Sequence, residues 1–300
     1  MLNRWQRHMF SILGACMLLL SLASPGASQD LLGSRVNGLM SFDFSDNYIT
    51  PRGLHVEDEG LVTQPLVLLF WKLRSSNQGK VADVTLATGV WNSFHSVRAG
   101  VNPSRWNEVD PILSLTVKFR NRFTVDAGTT AFYTPTDSYA TSAHADFKLT
   151  YNDSWLRGLS LNPYAAYWVE LQNKATVVFN PDTSSEGSYL TIGATPTFAL
   201  PMAGTTVDVG TYANFVSADF YQRFDGSDGG SGLAVVSVAP KINVPLKFLG
   251  VTHGAWTGYA GASYYYLRNE GLLDGNQVLT NETDRDSHLI RFRAGLSVFF

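Results

Sequence analysis

The residues whose types could do chemistry are few, and their spacing tests them. On a β-strand, residues two apart share a face, so a His with a Ser two positions later would set a base beside a nucleophile. His95 is followed at once by Ser96, and His144 is followed two positions on by Asp146. Neither spacing supplies the pair, so no catalytic residue is expected, and both histidines read as polar interior or loop residues. Glu57, Asp58 and Glu59, with Asp225 and Asp228, could attract divalent cations, but they lack the ligand spacing of a calcium loop and read as solvated loop acids. No metal or cofactor is expected. What remains is a set of ionisable side chains that alternate with apolar ones: Lys118, Asp126, Asp146, Lys148, Asp208, Lys241, Lys247, Arg291 and Arg293, joined by Asp43 and Glu170. Charges on one face of a strand can line a polar surface, where they steer and hold charged solutes.

The element that must position two of them is His288 to Phe300, HLIRFRAGLSVFF. Taken in steps of two, Ile290, Phe292, Ala294, Leu296, Val298 and Phe300 fall on one side, and Arg291, Arg293, Gly295, Ser297 and Phe299 on the other. This is the period of a strand. In a helix, Arg291 and Arg293 would interrupt the apolar stripe. A final aromatic residue beside a carboxylate suits the boundary between hydrocarbon and water.

The chain has 300 residues, a formal charge of −3, 16% charged and 13% aromatic residues, and 26 glycines. That balance excludes disorder, and no Lys/Arg-rich stripe marks a nucleic-acid binder. Residues 1–28 have the layout of a secretory signal peptide: Arg4 and Arg7, an apolar core from Met9 to Ala23, then small residues, with cleavage expected near Ala27 or Ser28. The core is short for a membrane anchor, which needs about 20 residues. The only cysteine, Cys16, lies inside that core rather than at its end, so lipidation is not expected and the mature chain, residues 29–300, has no thiol chemistry. Beyond residue 28 no apolar run is long enough for a transmembrane helix. In a membrane, the mature chain must therefore be a closed barrel, because an open sheet edge in hydrocarbon leaves backbone groups unsatisfied at several kcal/mol each.

Alternation and turn residues mark about twelve strands. They fall near Arg35–Phe44, Leu61–Leu73, Ala82–Phe94, Ile112–Arg120, Arg122–Tyr133, Ser142–Tyr151, Leu159–Gln172, Ser188–Leu200, Thr205–Ser217, Leu233–Phe248, Ala255–Arg268 and His288–Phe300. Pro240 and Pro245 predict a bulged or shorter tenth strand, since proline cannot donate to a ladder. Connections after odd-numbered strands read as mostly long and those after even-numbered strands as mostly short, as in transmembrane barrels with both termini in the periplasm. Aromatic residues near the strand ends suggest two girdles: Trp71, Phe119, Phe123, Tyr151, Phe248, Trp256 and Phe300 at the short-turn end, and Phe44, Trp91, Tyr133, Phe215, Tyr264 and Tyr266 at the other.

Two stretches carry a resemblance. HLIRFRAGLSVFF resembles the closing strand of bacterial outer-membrane β-barrels, which ends in an aromatic residue read by the barrel-assembly machinery; the resemblance implies that role for Phe300. The segment Ser41 to Phe70, followed by Gly89-Val90-Trp91-Asn92, resembles the opening of the TorF-like porins, with Tyr48, Arg52-Gly53 and Gln64-Pro65 at the matching places and Pro51 departing from the aromatic residue of that pattern. This implies a small outer-membrane barrel and supplies no catalytic residues.

The expectation is therefore an all-β chain: a single antiparallel transmembrane β-barrel in the outer membrane, in contact with lipid and lipopolysaccharide. Its function is read as passive diffusion of small solutes, anions favoured, through a narrow porin-like channel lined by the ionisable set above. A non-conducting structural or surface-binding barrel is the alternative, and a lipid hydrolase is less expected. Acids concentrate on the fifth to ninth strands and Lys241, Lys247, Arg291 and Arg293 on the tenth and twelfth. They either set a field across the lumen or pair and fill it.

Overall fold

The computed structural model describes residues 35–99, 104–135, 139–153, 159–174, 176, 186–202, 204–247, 250, 253–281 and 283–300. The expected signal peptide lies outside the described residues, as does Phe248. In chain order the elements are β1 (Val36–Ser45), β2 (Tyr48–Ile49), β3 (His55–Glu57), β4 (Val62–Ser75), β5 (Val81–Ala99), β6 (Ser104–Phe119), β7 (Phe123–Phe132), β8 (Ser142–Tyr151), β9 (Leu159–Ser160), β10 (Tyr164–Gln172), β11 (Ser188–Ala194), β12 (Thr197–Ala199), β13 (Thr206–Val216), β14 (Gly232–Pro245), β15 (Ala255–Leu267), helix α1 (Glu270–Thr280) and β16 (His288–Phe299).

The sheet closes because β1 pairs with β4 on one side and with β16 on the other, Phe42 opposite both Pro65 and Leu296. Every pairing is antiparallel, and β9 with β10, and β11 with β12, share one position each, giving a twelve-stranded closed barrel. Proline explains both interruptions. Pro163 and Pro196 cannot donate, and their carbonyls still accept from Tyr151 and Val209 at 2.9 and 2.8 Å. Pro240 is instead absorbed within a continuous β14: the ladder to β15 lapses between Val238↔Tyr264 and Lys241↔Gly261 without changing register.

Alternation holds around the wall. Phe292 is 60% exposed on the outside, while its neighbour Arg291 is 7% exposed on the inside. Leu113, Leu115, Phe147, Leu149, Ile192 and Ile290 share the outer, apolar face. In water such a surface would be far beyond what a soluble protein leaves uncovered; in hydrocarbon it is the expected exterior. The continuous apolar run of β4 has its own reason. Its inward Leu68 and Phe70 face Leu39 and Phe299 near the short-turn end, with the Phe70 and Phe299 rings 6.2 Å apart. On the outer face the Phe300 ring lies over Gly38, where a Cβ would come within 2.4 Å of it, and the two backbones exchange hydrogen bonds of 2.6 and 2.9 Å.

Three expectations are corrected here. The connection after the third wall strand is short, because β5 runs to Ala99 and β6 starts at Ser104, well before Ile112. Trp91 belongs to no outer girdle: it points inward, 5.8 Å from Tyr48, and the outer aromatic pair at that height is Phe94 stacked on Trp106. The last long connection is partly helical, as α1, capped by Asn269 accepting from Leu272 N.

The buried apolar core lies inside the barrel at its long-loop end. Ile49 and Leu54 from the first loop, Phe220 and Tyr221 from the loop after β13, and Leu272 and Leu273 of α1 pack there against Phe132, Trp168, Val235, Tyr265, Leu267 and Leu289 of the wall.

Candidate functional site

The first long loop, residues 46–61, folds into the barrel instead of standing above it. Its β2 and β3 form a small hairpin whose tip, Pro51-Arg52-Gly53, is fastened by the wall and by α1. Tyr212 Oη and Asn214 Nδ2 donate to the Pro51 carbonyl at 3.0 and 2.9 Å, and Tyr221 Oη donates to the Arg52 carbonyl. Asn276 of α1 donates to the Gly53 carbonyl at 3.0 Å and accepts from His55 N at 2.9 Å. Gly53 has φ +89°, and a Cβ there would meet Leu267, Val235 and Leu272 at 2.9 to 3.0 Å. The tip therefore needs a residue that reaches the left-handed region and has no side chain. Burial pushes the His55 imidazole below its ordinary pKa.

From this loop a polar network runs along the inner wall. Glu57 Oε2 faces His95 Nδ1 at 3.4 Å, His95 Nε2 lies 2.9 Å from Ser93 Oγ, and Gln64 Nε2 donates to Ser93 Oγ at 3.4 Å. With Ser93 accepting from Gln64, its proton goes to His95 Nε2, which leaves the ring proton on Nδ1 facing Glu57. Gln64 Oε1 accepts from Arg291 at 2.8 Å, and Arg291 also reaches Ser45 Oγ at 2.9 Å and Asp43 at 3.4 Å. Asp43 further takes the Tyr259 hydroxyl at 3.0 Å and Arg293 at 3.8 Å. Beyond Tyr259, Lys241 stands 5.4 Å over its ring and 4.0 Å from Asp208, which Asn243 holds at 2.7 Å. Among the wall residues of this network three cations, Arg291, Arg293 and Lys241, thus face two carboxylates, Asp43 and Asp208, so the wall here keeps one positive charge in excess, with Glu57 of the loop at the far end of the row.

The opposite side is acidic and aromatic. Asp126 accepts from Thr116 Oγ1 at 2.5 Å, the Asp146 carboxylate lies across Gly128, and Lys148 sits 4.3 Å over the Tyr164 ring. Toward the long-loop end, Phe132, His144, Trp168 and Tyr189 from β7, β8, β10 and β11 follow one another at centroid spacings of 4.3, 4.4 and 5.1 Å. The Arg52 guanidinium lies on this arc, 4.4 Å from the centroid of Phe132 and 5.5 Å from that of Trp168.

No protein-family model matches the chain, and no curated protein sequence is significantly similar to it. Solved structures are. An outer membrane channel from Pseudomonas putida F1 superposes with a TM-score of 0.51 at 9% identity, covering 93% of this chain and 100% of that one. A NanC porin aligns with a TM-score of 0.43 at 13% identity, covering 87% and 98%. The fold is that of a bacterial outer-membrane β-barrel. At 9% identity, the Pseudomonas likeness speaks to the fold alone.

Of the residues expected on the inner face of this barrel, Asp126, Asp146, Lys148, Asp208, Lys241, Arg291 and Arg293 lie there, together with Asp43 and Glu170, whose carboxylate accepts from Gly187 N at 2.7 Å. Lys118 is inward but exposed, opposite Asp83 and Thr124 near the short-turn mouth. Lys247 does not line the wall: β14 ends at Pro245, and Lys247 is exposed in the turn beyond it. Arg291, Arg293 and Lys241 are paired within the wall, not bare.

Glu57 is no solvated loop acid but a buried partner of His95. The partner missed on the other side of His95 is Ser93, two residues earlier on the same face. Reading the two-residue rule backwards as well as forwards would have found it. Ser96 instead accepts from Leu61 N at 2.7 Å.

Proposed function

We propose that the protein is a narrow outer-membrane channel for small solutes, with the inserted first loop as its constriction. One observation carries the reading: the inner wall is unevenly charged, with Arg291, Arg293 and Lys241 outnumbering Asp43 and Asp208 on one side and Asp126, Asp146, Glu108 and Asp110 outnumbering Lys148 on the other, across a bore of twelve strands. A barrel of this size lies between filled eight-stranded and open sixteen-stranded barrels, and opposed walls orient a charged solute in passage. The excess positive charge beside Asp43 favours anions. Arg293 and Lys241 are less buried than Arg291 and are the side chains of that group open to a solute. The TorF-like resemblance supports the same reading, because its residues Tyr48, Arg52-Gly53 and Gln64-Pro65 fall on the inserted loop and on its anchoring network.

A specific observation favours a second reading, a barrel that does not conduct: the packed apolar core at the long-loop end. Ser93, His95 and Glu57 have the order of an acyl-transfer relay, but Ser93 is 0% and His95 1% exposed. A nucleophile sealed in this way has no room for an ester, and the row acts as a clamp on the loop.

Planar-bilayer recording of the purified protein tests the proposal. Unit conductance is expected, with anions passing better than cations of like size, and the double substitution Arg291→Glu and Arg293→Glu should shift that preference. Absence of unit conductance in any salt would favour the non-conducting barrel.

A further inference from the structure

Arg52 is 8% exposed, yet it belongs to a loop and not to the wall that surrounds it. That wall has the composition of a cation site. Phe132 and Trp168 offer ring faces to the guanidinium carbon at 4.4 and 5.5 Å, and His144 sits between the two rings. Glu108 and Asp110, both buried on the inner face of β6, lie within electrostatic reach of Arg52, and Tyr48 donates to Glu108 at 3.4 Å. Glu108 and Asp110 share a side-chain hydrogen bond, and so one proton, and the single negative charge that the pair keeps is unbalanced without Arg52. The polar fit is also incomplete: Asp110 Oδ1 and His144 Nδ1, on the wall side, and Arg52 Nε are buried with no hydrogen-bond partner among the described residues. Aromatic faces backed by carboxylates attract organic cations, and do so more strongly when desolvated.

We propose that the inner wall carries a binding site for a guanidinium-type cation, framed by Phe132, His144, Trp168, Glu108 and Asp110, and that Arg52 is its tethered occupant. The first loop is then held as a ligand is held, and a free cation of the same shape competes with it. With the loop seated, Arg52 offsets the one charge that Glu108 and Asp110 keep between them, while the excess positive charge stays on the Arg293 side; the cation site and an anion preference are compatible.

Binding can be tested without conduction, so the outcome is separate from that of the channel reading. The Arg52→Ala barrel in detergent is heated with millimolar methylguanidinium chloride, with N-methylurea as the neutral isostere and sodium chloride for ionic strength. Methylguanidinium should raise its unfolding temperature, by selective binding to the folded state, and should do so more than in the wild type, whose site is filled. Adding Trp168→Ala, or Glu108→Gln with Asp110→Asn, should weaken that response by about tenfold in concentration or more. An equal response to N-methylurea, or an equal response of wild type and Arg52→Ala, overturns the site. If Arg52→Ala does not fold unaided, refolding yield becomes the readout, in it and in Arg52→Gln. Rescue by methylguanidinium beyond that by N-methylurea supports the site, and no such rescue overturns it.

Discussion

Gly53→Val isolates the seating of the first loop from the integrity of the barrel. At φ +89° a residue with a Cβ costs about 1–2 kcal/mol. The added atoms would also enter a space where Leu267, Val235 and Leu272 already stand at 2.9 to 3.0 Å from an ideal Cβ. All three are fully buried, so they cannot turn aside into solvent, and overpacking of this kind costs about 1–3 kcal/mol. The sum, about 2–5 kcal/mol, lowers the seated-to-released ratio by roughly 30-fold to several thousandfold. Amide exchange reads it directly. Gly53 N donates to Thr50 O and Thr50 N to Leu54 O, both at 2.9 Å, and Leu54 N donates to Thr50 Oγ1 at 3.1 Å. Protection at these amides should fall by that ratio, while the ladder between β1 and β16 keeps its protection. Unchanged protection at the tip would refute the seating argument. An equal fall at the tip and in the ladder would show that loop and barrel open as one unit.

Leu115→Arg, on the lipid face, should cost about 2–4 kcal/mol at the bilayer midplane and lower the yield of heat-modifiable barrel. Thr116→Arg, facing Asp126 in the interior, should be better tolerated, and equal behaviour of the pair would reject the face assignment. Phe300→Ala removes the ring that covers Gly38 at the β1–β16 seam, so less folded barrel should reach the outer membrane, as measured by heat modifiability in membrane fractions. His55 is buried and its folded pKa is lowered from about 6.5, first by desolvation. The neutral ring's contribution is therefore complete above about pH 6.5 and is lost as pH falls toward the lower folded value. Exchange at the loop tip, corrected for intrinsic rates, should quicken between about pH 7.5 and pH 5 in the wild type, and His55→Gln should flatten that dependence.

The wall was legible because a barrel repeats one rule. Each inward polar residue is flanked by outward apolar ones, so Lys241 and Ile242, or Arg291 and Phe292, declare their faces locally. Closure between β1 and β16 follows from the need to leave no edge. The elements missed are those whose periodicity is too short to show. The pairs of β2 with β3 span only Tyr48↔Glu57 and Ile49↔His55, and α1 has glycines at 271 and 275 that dilute a helical pattern.

The site was legible only as a list of charges, because its arrangement depends on a loop whose destination no local pattern gives. Asp43 shows why. On sequence it is one inward acid among several, and Arg291 and Arg293, on another strand, either set a field or pair, with no partner named. Only the β1–β16 register, which sets Ser45 opposite Arg293 and Asp43 opposite Gly295, brings the carboxylate between the two guanidinium groups and leaves a residual charge instead of a full one. Arg52 inverts the case. On sequence Arg52 is only a loop residue between proline and glycine, but the hydrogen bonds that Tyr212, Asn214, Tyr221 and Asn276 give to the three tip carbonyls draw the backbone inward and carry that side chain to the aromatic arc. In the proposed channel, charge selection depends on both sides together, with Arg52 offsetting the charge that Glu108 and Asp110 share while Asp43 only partly offsets Arg291 and Arg293. Releasing the loop should move the preference toward cations by exposing the acids, even though every wall residue keeps its place.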